Sequence, residues 1–210
     1  RGDARRHGDD FQAKLFWLYA ASLLDPLSPI IKVAYERGPK SFDDILIEHD
    51  LARAPLDHEG KPILRRHTQC KWHTTAGVFG FAELADPAFV GAPRYSFLQK
   101  AHLAQTQHAP NGIGCRFELV TNWRLKADDP LLDLVRKESD ALDLKKLFEG
   151  TTDRSRMGEV RKRWCEHLGV DHAGLHLVAR TLAIAETTES LAGLRARLDD
   201  KFAPAGMERI

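Results

Sequence analysis

Residues 41–48 read SFDDILIE and residues 67–73 read HTQCKWH, and a polar loop with glycine and proline separates the two segments. The aliphatic run in the first segment and the Gly/Pro break after it predict two strands joined by a turn. Because side chains alternate along a strand, Gln69 and Lys71 are expected on one face of the second strand. The same alternation turns Asp44 toward that face from the start of the first strand.

An acid at a strand start that faces a Gln-x-Lys sequence is typical of phosphodiester cleavage. Carboxylate and amide oxygens are hard ligands that suit Mg²⁺, and an ammonium can orient the attacking water and offset the charge of a phosphate. The predicted catalytic residues are therefore Asp44, Gln69 and Lys71. Asp43 replaces Asp44 as the predicted metal ligand if the strand register is shifted by one residue.

These residues resemble the PD-(D/E)xK nuclease motif in its Q-x-K form. The short D…QxK pattern is weakly specific by itself, but an ordered set of five segments along most of the chain is more so. The set consists of Gly8–Gln12, Asp43–Ile45, Gln69–Lys71, Val120–Trp123 and Trp164–Leu168. Its order is similar to that of the double-stranded DNA endonuclease domain at the N-terminus of bacterial anti-phage effectors, including CBASS effectors and some NTPase-linked defence proteins.

The resemblance implies a metal-dependent endodeoxyribonuclease that uses Mg²⁺ or Mn²⁺. Asp44, the Gln69 side-chain oxygen and the Cys70 backbone carbonyl are the implied metal ligands, and Lys71 positions the nucleophilic water. Gln12 in the first helix is implied to approach the metal, and the alternative is a glutamine bonded to backbone. Glutamine in place of an acid lowers the ligand charge, so weak metal binding and little activity before clustering are expected.

The order of predicted elements is that of a restriction-endonuclease-like α/β fold, with a mixed sheet flanked by helices. A helix from Asp9 or Asp10 to about Leu24 precedes a strand at 30–35 and the two strands described above. A mostly helical region at 74–109, with its better helix at 95–107, then leads to a strand at 116–122.

No strand pattern is found after residue 129. The predicted helices lie at 130–148, 157–168, 173–184 and 189–202, punctuated by glycines. The expected organisation is a nuclease core over residues 1–125 and a helical C-terminal subdomain over 126–210 that extends the same nuclease domain.

Composition and charge limit the functional classes. The chain has 43% hydrophobic and 29% charged residues, as soluble globular proteins do. Its net charge of +1 gives no general attraction to nucleic acid, so DNA affinity must come from local basic clusters. The densest cluster contains Arg161, Lys162 and Arg163, which are candidates for phosphate contact; a solvated helix face is the alternative.

Other chemistries are less well supported by the sequence. The histidines lack the H-E-x-x-H spacing of a zinc site, and no Gly-rich P-loop is present. Strand alternation turns Cys70 away from its neighbouring histidines, which argues against a thiol nucleophile. Three widely spaced cysteines and the lack of an apolar run of about 20 residues fit a reducing cytoplasm and no membrane span.

The expected partner is double-stranded DNA, and a homo-oligomer is expected when the protein is active. Because the chain starts at Arg1 rather than Met, we expect it to be a piece of a longer protein, with a C-terminal sensor or ATPase portion or a partner subunit outside this chain. The alternative function is a non-catalytic DNA-binding or oligomerisation module on the same fold.

Overall fold

The fold is built around one mixed sheet of five strands. It is seen in a computed structural model, which describes residues 2–39, 42–150 and 152–206. The strands in chain order are β1 (Ile30–Tyr35), β2 (Ile45–His49), β3 (Ile63–Lys71), β4 (Val78–Phe79), β5 (Gly114–Thr121), β6 (Arg124–Leu125) and β7 (Leu182–Glu186). The order across the main sheet is β1-β2-β3-β5-β7, and β4 and β6 form a separate parallel pair. β1, β2 and β3 are antiparallel neighbours, whereas β5 runs parallel to β3 and to β7.

Helices cover both faces of this sheet. They are α1 (Gly2–Ala21), α2 (Phe97–His108), α3 (Pro130–Leu134), α4 (Leu144–Leu147), α5 (Arg156–Leu168), α6 (His172–Thr181) and α7 (Leu191–Phe202). On one face, Phe11 of α1 and Leu198 of α7 share a core with Ile45 and Ile47 of β2. On the other face, helices α2 to α6 pack over a larger core that includes Phe117 of β5. The predicted mixed sheet flanked by helices is thus confirmed.

Local sequence signals explain where several helices begin and end. Ser96 caps α2 by accepting a hydrogen bond from the Gln99 amide, while the Gln99 side chain accepts one from the Ser96 amide, which completes a capping box. Gly169 ends α5 in the left-handed conformation, with φ of 67°. Asp171 then caps α6 two residues later. Short connections of this kind hold α5 and α6 together beside α2.

Some element boundaries differ from the sequence predictions. α1 begins at Gly2 rather than near Asp9, and α2 begins only at Phe97, because residues 74–96 form β4 and two 3₁₀ turns instead of a helix. β3 starts at Ile63, four residues before the predicted segment, since it pairs with β5 along its whole length. The predicted helix at 130–148 is two short helices, α3 and α4, separated by a bridge between Val135 and Leu142.

The expectation of an entirely helical C-terminal region is wrong, because Leu182–Glu186 form β7. The predicted helix at 173–184 ends at Thr181, and the next residues become the fifth strand of the main sheet beside β5. A run of four apolar residues that follows a helix directly has no periodicity of its own, so only its pairing with β5 identifies it as a strand. Residues beyond 125 therefore complete the sheet as well as adding helices.

Within the described ranges, no helix is both long enough and apolar enough to cross a membrane. The three cysteines are unpaired thiols.

Candidate active site

Asp44 lies immediately before β2, where the backbone already follows the sheet. Its carbonyl accepts a hydrogen bond of 3.0 Å from the Glu36 amide at the end of β1. Its carboxylate turns toward β3, where Oδ2 accepts hydrogen bonds from Gln69 Nε2 at 2.7 Å and from the Cys70 amide at 2.6 Å. The structure therefore brings Asp44 and Gln69 together, and it places the Asp44 carboxylate, rather than that of Asp43, against β3.

The environment of Asp44 opposes its ionisation. Burial raises the pKa of the Asp44 carboxyl to about 6, and the charge of Asp43 acts in the same direction. The hydrogen bonds from the Cys70 amide and Gln69 lower this pKa, and so does the charge of Lys100. A carboxylate that is poorly solvated and has a raised pKa is typical of a functional site, because a bound cation would compensate its charge.

Lys71 follows two residues after Gln69 on the same face of β3. Its ammonium donates a hydrogen bond of 3.2 Å to the Val90 carbonyl. Gly91 comes next in this loop with φ of 65°, and a Cβ built there would lie 2.8 Å from Lys71 Nζ. The loop approaches the ammonium this closely because residue 91 is glycine.

Lys100 is a site residue that the sequence analysis missed. It is half-buried in the first turns of α2, and its charge affects the pKa of both Asp44 and Lys71. Burial is the main cause that lowers the pKa of Lys71, and the Lys100 charge lowers it further, while the Asp44 charge opposes both. No motif marks Lys100, because its position depends on how α2 packs against the sheet.

Gln12 of α1 lies beside the site, but its contact is with backbone. Its Nε2 donates a long hydrogen bond of 3.4 Å to the Asp44 carbonyl. Of the two expectations for this residue, the structure therefore shows the backbone-bonded glutamine. From this place Gln12 holds the segment that presents the carboxylate.

The Val120–Trp123 segment forms one wall next to the site. The Asn122 side chain accepts a hydrogen bond from the His73 amide at 2.7 Å and donates one to the His73 carbonyl at 2.8 Å. The Trp123 ring stacks on the His73 ring with centroids 3.7 Å apart. Burial and the charge of Lys71 lower the pKa of His73 to about 4, so this ring is neutral. Asn122 and Trp123 thus hold the chain just after Lys71.

Two other side chains of β3 do not belong to the site. His67 lies on the same face of β3 as Gln69, but it is buried and stacks on Phe117. Cys70 packs against the core under α1, on the opposite face from Gln69 and Lys71, as predicted. Burial raises the pKa of the Cys70 thiol well above its ordinary value, which leaves it unreactive as a nucleophile.

The donor atoms at Asp44 fit a hard divalent cation. The N–H and C=O of one strand residue point to the same side, so the Cys70 carbonyl also faces the Asp44 side of β3. The fit requires Gln69 to turn its amide oxygen toward the cation, since its nitrogen now bonds to Asp44. Among the residues the structure describes, no three His, Cys, Asp or Glu side chains form a metal-binding group. A cation here would therefore have one carboxylate and neutral oxygens as protein ligands, and it would keep several waters.

The predicted DNA-contacting cluster on α5 is only partly exposed. Lys162 and Arg163 are exposed, and Arg163 pairs with Glu159 at 3.0 Å. Arg161 is 2% exposed, and its guanidinium donates to the carbonyls of Leu147, Glu149 and Gly150. The prediction that Arg161 contacts phosphate is wrong in this structure, because its N–H groups are used in hydrogen bonds to carbonyls at the end of α4.

Comparison with known proteins finds a relative that matches nearly the whole chain. No protein-family model matches the chain. The chain is 36% identical over 208 residues to CD-NTase-associated protein 4 of Enterobacter hormaechei subsp. hoffmannii (strain UCI 50). The similarity covers 97% of this chain and 41% of that protein, so the chain spans less than half the length of this relative.

Proposed function

We propose that this chain is a metal-dependent DNA endonuclease domain of a bacterial anti-phage effector. The observation that carries the proposal is the convergence of Asp44, Gln69 and Lys71 at one end of β2 and β3. The similarity to a CD-NTase-associated protein supports the defence context. The likeness of the Asp and Q-x-K segments to PD-(D/E)xK nucleases supports the choice of DNA hydrolysis.

In this proposal Asp44, the Gln69 amide oxygen and the Cys70 carbonyl hold Mg²⁺ or Mn²⁺. When bound, the cation would polarise the scissile phosphate and favour ionisation of its water. At neutral pH the Asp44 carboxylate is mostly ionised, because its pKa of about 6 lies below that pH. Gln12 and the Glu36 amide hold the backbone of Asp44, which fixes the direction of the carboxylate.

Lys71 supplies positive charge where the phosphate becomes more negative. Its ammonium bonds to the Val90 carbonyl and has further protons to donate to a phosphate oxygen or to the attacking water. The lowered pKa of Lys71 makes proton exchange with water easier than for an exposed lysine. The residue can therefore both orient the nucleophile and stabilise the charge of the transition state.

Cleavage of a supercoiled plasmid in Mg²⁺ tests this function, with each site variant made in the chain fused to an unrelated oligomer, the form that is expected to be active. Asp44→Asn and Lys71→Ala should each lower the rate by at least about a hundredfold, as the loss of a catalytic acid–base or charge-stabilising group does. Asp43→Asn is the matched control and should keep most of the activity, because its carboxylate does not contact β3. Circular dichroism of each variant checks that the fold is intact.

The outcomes separate the two functional classes. Wild-type rates in both Asp44→Asn and Lys71→Ala would contradict the endonuclease proposal. A wild-type chain that binds DNA in the presence of Mg²⁺ or Mn²⁺ but never cuts it, even when clustered, would favour the alternative of a non-catalytic DNA-binding module. Loss of activity in Asp43→Asn alone would identify Asp43, rather than Asp44, as the metal ligand.

A further inference from the structure

A cleft of about 490 Å³ lies between α2 and the loop that precedes it. Its walls include Pro39, Pro93, Arg94, Tyr95, Lys100 and Leu103. None of the described residues that line it is acidic, whereas two are cationic. The cleft therefore combines apolar and aromatic walls with positive charge, which complements a nucleotide better than it does a neutral apolar ligand.

One loop and one side chain connect the cleft to the candidate active site. The loop that receives the Lys71 ammonium at Val90 continues through Gly91 directly into the cleft wall at Ala92–Tyr95. Lys100 lines the cleft, and its charge also acts on Asp44 and Lys71. A ligand in the cleft would thus lie next to the phosphate at the catalytic residues.

Tyr95 and Arg94 provide the recognition surface. Both side chains are exposed, and the Arg94 guanidinium lies over the Tyr95 ring at 5.3 Å from its centroid. Aromatic rings stack with any base, and arginine beside them contacts phosphate or stacks in turn. Among the described residues, neither Arg94 nor Lys100 forms a salt bridge with an acid, so both charges are available to a phosphate.

We infer that this cleft is a subsite for the nucleotide adjacent to the scissile phosphate, with Lys100 and Arg94 on the backbone phosphate and Tyr95 against the base. The inference rests on the proposed function, since it defines which part of a DNA strand lies beside Asp44 and Lys71. One nucleotide of the strand being cut leaves the base stack to enter the cleft. A nucleotide that is already unpaired enters with less loss of stacking.

DNA binding without cleavage tests the subsite. Fluorescence anisotropy in EDTA compares a fully paired duplex with the same duplex carrying one unpaired nucleotide. Wild type should prefer the second by about tenfold, and Tyr95→Ala should lose that preference, as expected for the loss of one base-stacking contact. Lys100→Ala and Arg94→Ala should weaken binding to both duplexes and reduce the salt slope by about one each. Tyr95→Phe keeps the ring, and Lys145→Ala removes an exposed lysine of α4; both should bind as wild type does.

Equal affinity and equal salt dependence in Tyr95→Ala, Lys100→Ala and wild type would overturn the subsite, even if the wild-type chain cuts DNA. A preference that depends on Tyr95 would support it, even if Asp44→Asn cuts plasmid as fast as wild type. The failure of the subsite is therefore distinguishable from the failure of the endonuclease proposal. If neither the chain nor its fusion to an unrelated oligomer binds either duplex, both proposals are contradicted.

Discussion

At the scale of single residues, the ionised Asp44 carboxylate lowers the stability of the folded chain. Its carboxylate is poorly solvated and lies near Asp43, yet it is held by a side-chain amide and a backbone amide. A folded-state pKa near 6, above the ordinary value of 3.8, means that the folded protein binds this proton more tightly than the unfolded chain does. The ionised carboxylate therefore destabilises the folded protein in the absence of a cation, and functional sites often carry such a cost in stability.

The pH dependence of unfolding tests this effect. Because the pKa is raised, the stabilisation from Asp44 is present below the unfolded value and is lost as the pH rises through about 6. Asp44→Asn should consequently raise the free energy of unfolding by about 2 kcal/mol at about pH 8, with a gain that shrinks toward about pH 4. Urea unfolding in EDTA at several pH values measures the difference.

The comparison in that experiment is between two neighbouring acids. Asp43→Asn changes a nearby charge but keeps the buried carboxylate, so its gain at about pH 8 should be smaller than that of Asp44→Asn. Equal stability of Asp44→Asn and wild type across the whole pH range would contradict the description of Asp44 as a poorly solvated carboxylate.

At the scale of elements, α5 combines a structural arginine with an exposed basic edge. Arg161 closes the end of α4 by donating to three carbonyls, while Lys162 and Arg163 face outward. Trp164, in the segment that resembled the nuclease family, donates its indole N–H to the Phe81 carbonyl at 3.1 Å and is buried. These contacts indicate that the inner side of this helix stabilises the fold.

Substitutions along α5 should separate these roles. Arg161→Met should lower the free energy of unfolding by about 3 kcal/mol, because the buried hydrogen bond to the Leu147 carbonyl and the two partly buried bonds to Glu149 and Gly150 are all lost. The double variant Lys162→Ala, Arg163→Ala should leave stability nearly unchanged, and it should weaken DNA binding without sequence preference and reduce the salt slope by up to about two. Urea unfolding and anisotropy at several salt concentrations measure both effects. Unchanged affinity and salt slope in the double variant would make this edge a solvated helix face.

At the scale of the whole molecule, one chain presents one candidate site. A single site cuts one strand, so breaking a duplex requires two copies or two successive visits by one copy. With a net charge of only +1, an isolated domain has little long-range attraction to DNA. The relative that it resembles is more than twice as long, which leaves room for a portion that brings copies together.

Clustering is therefore expected to raise activity. We predict that the 210-residue chain alone is weak or inactive, and that fusion to an unrelated oligomer increases the cleavage rate per domain, because linked copies raise the effective concentration at the DNA. The measurement is cleavage rate against protein concentration for the chain alone and for the fusion. A fusion with Asp44→Asn controls for DNA binding by the oligomer itself. A constant rate per domain in both series would show that one copy suffices.

The sequence by itself determined the local parts of this molecule. The bounds of β1, the aliphatic run that forms β2, and the opposite directions of Cys70 and its two neighbours all follow from apolar patterning and strand alternation, which act within a few residues. The contiguous Gln69-Cys70-Lys71 segment needed no tertiary information to place its first and last residues on one face.

The tertiary structure alone decided the features that depend on distant partners. The register between β2 and β3 places the Asp44 carboxylate on the Cys70 amide across a long loop, and the packing of α2 brings Lys100 to the same site. Leu182–Glu186 become a strand because the edge of β5 is open to them, and Arg161 is buried because α4 ends beneath α5. Local propensity cannot specify such features, since their free energy comes from pairing and burial between segments far apart in the chain.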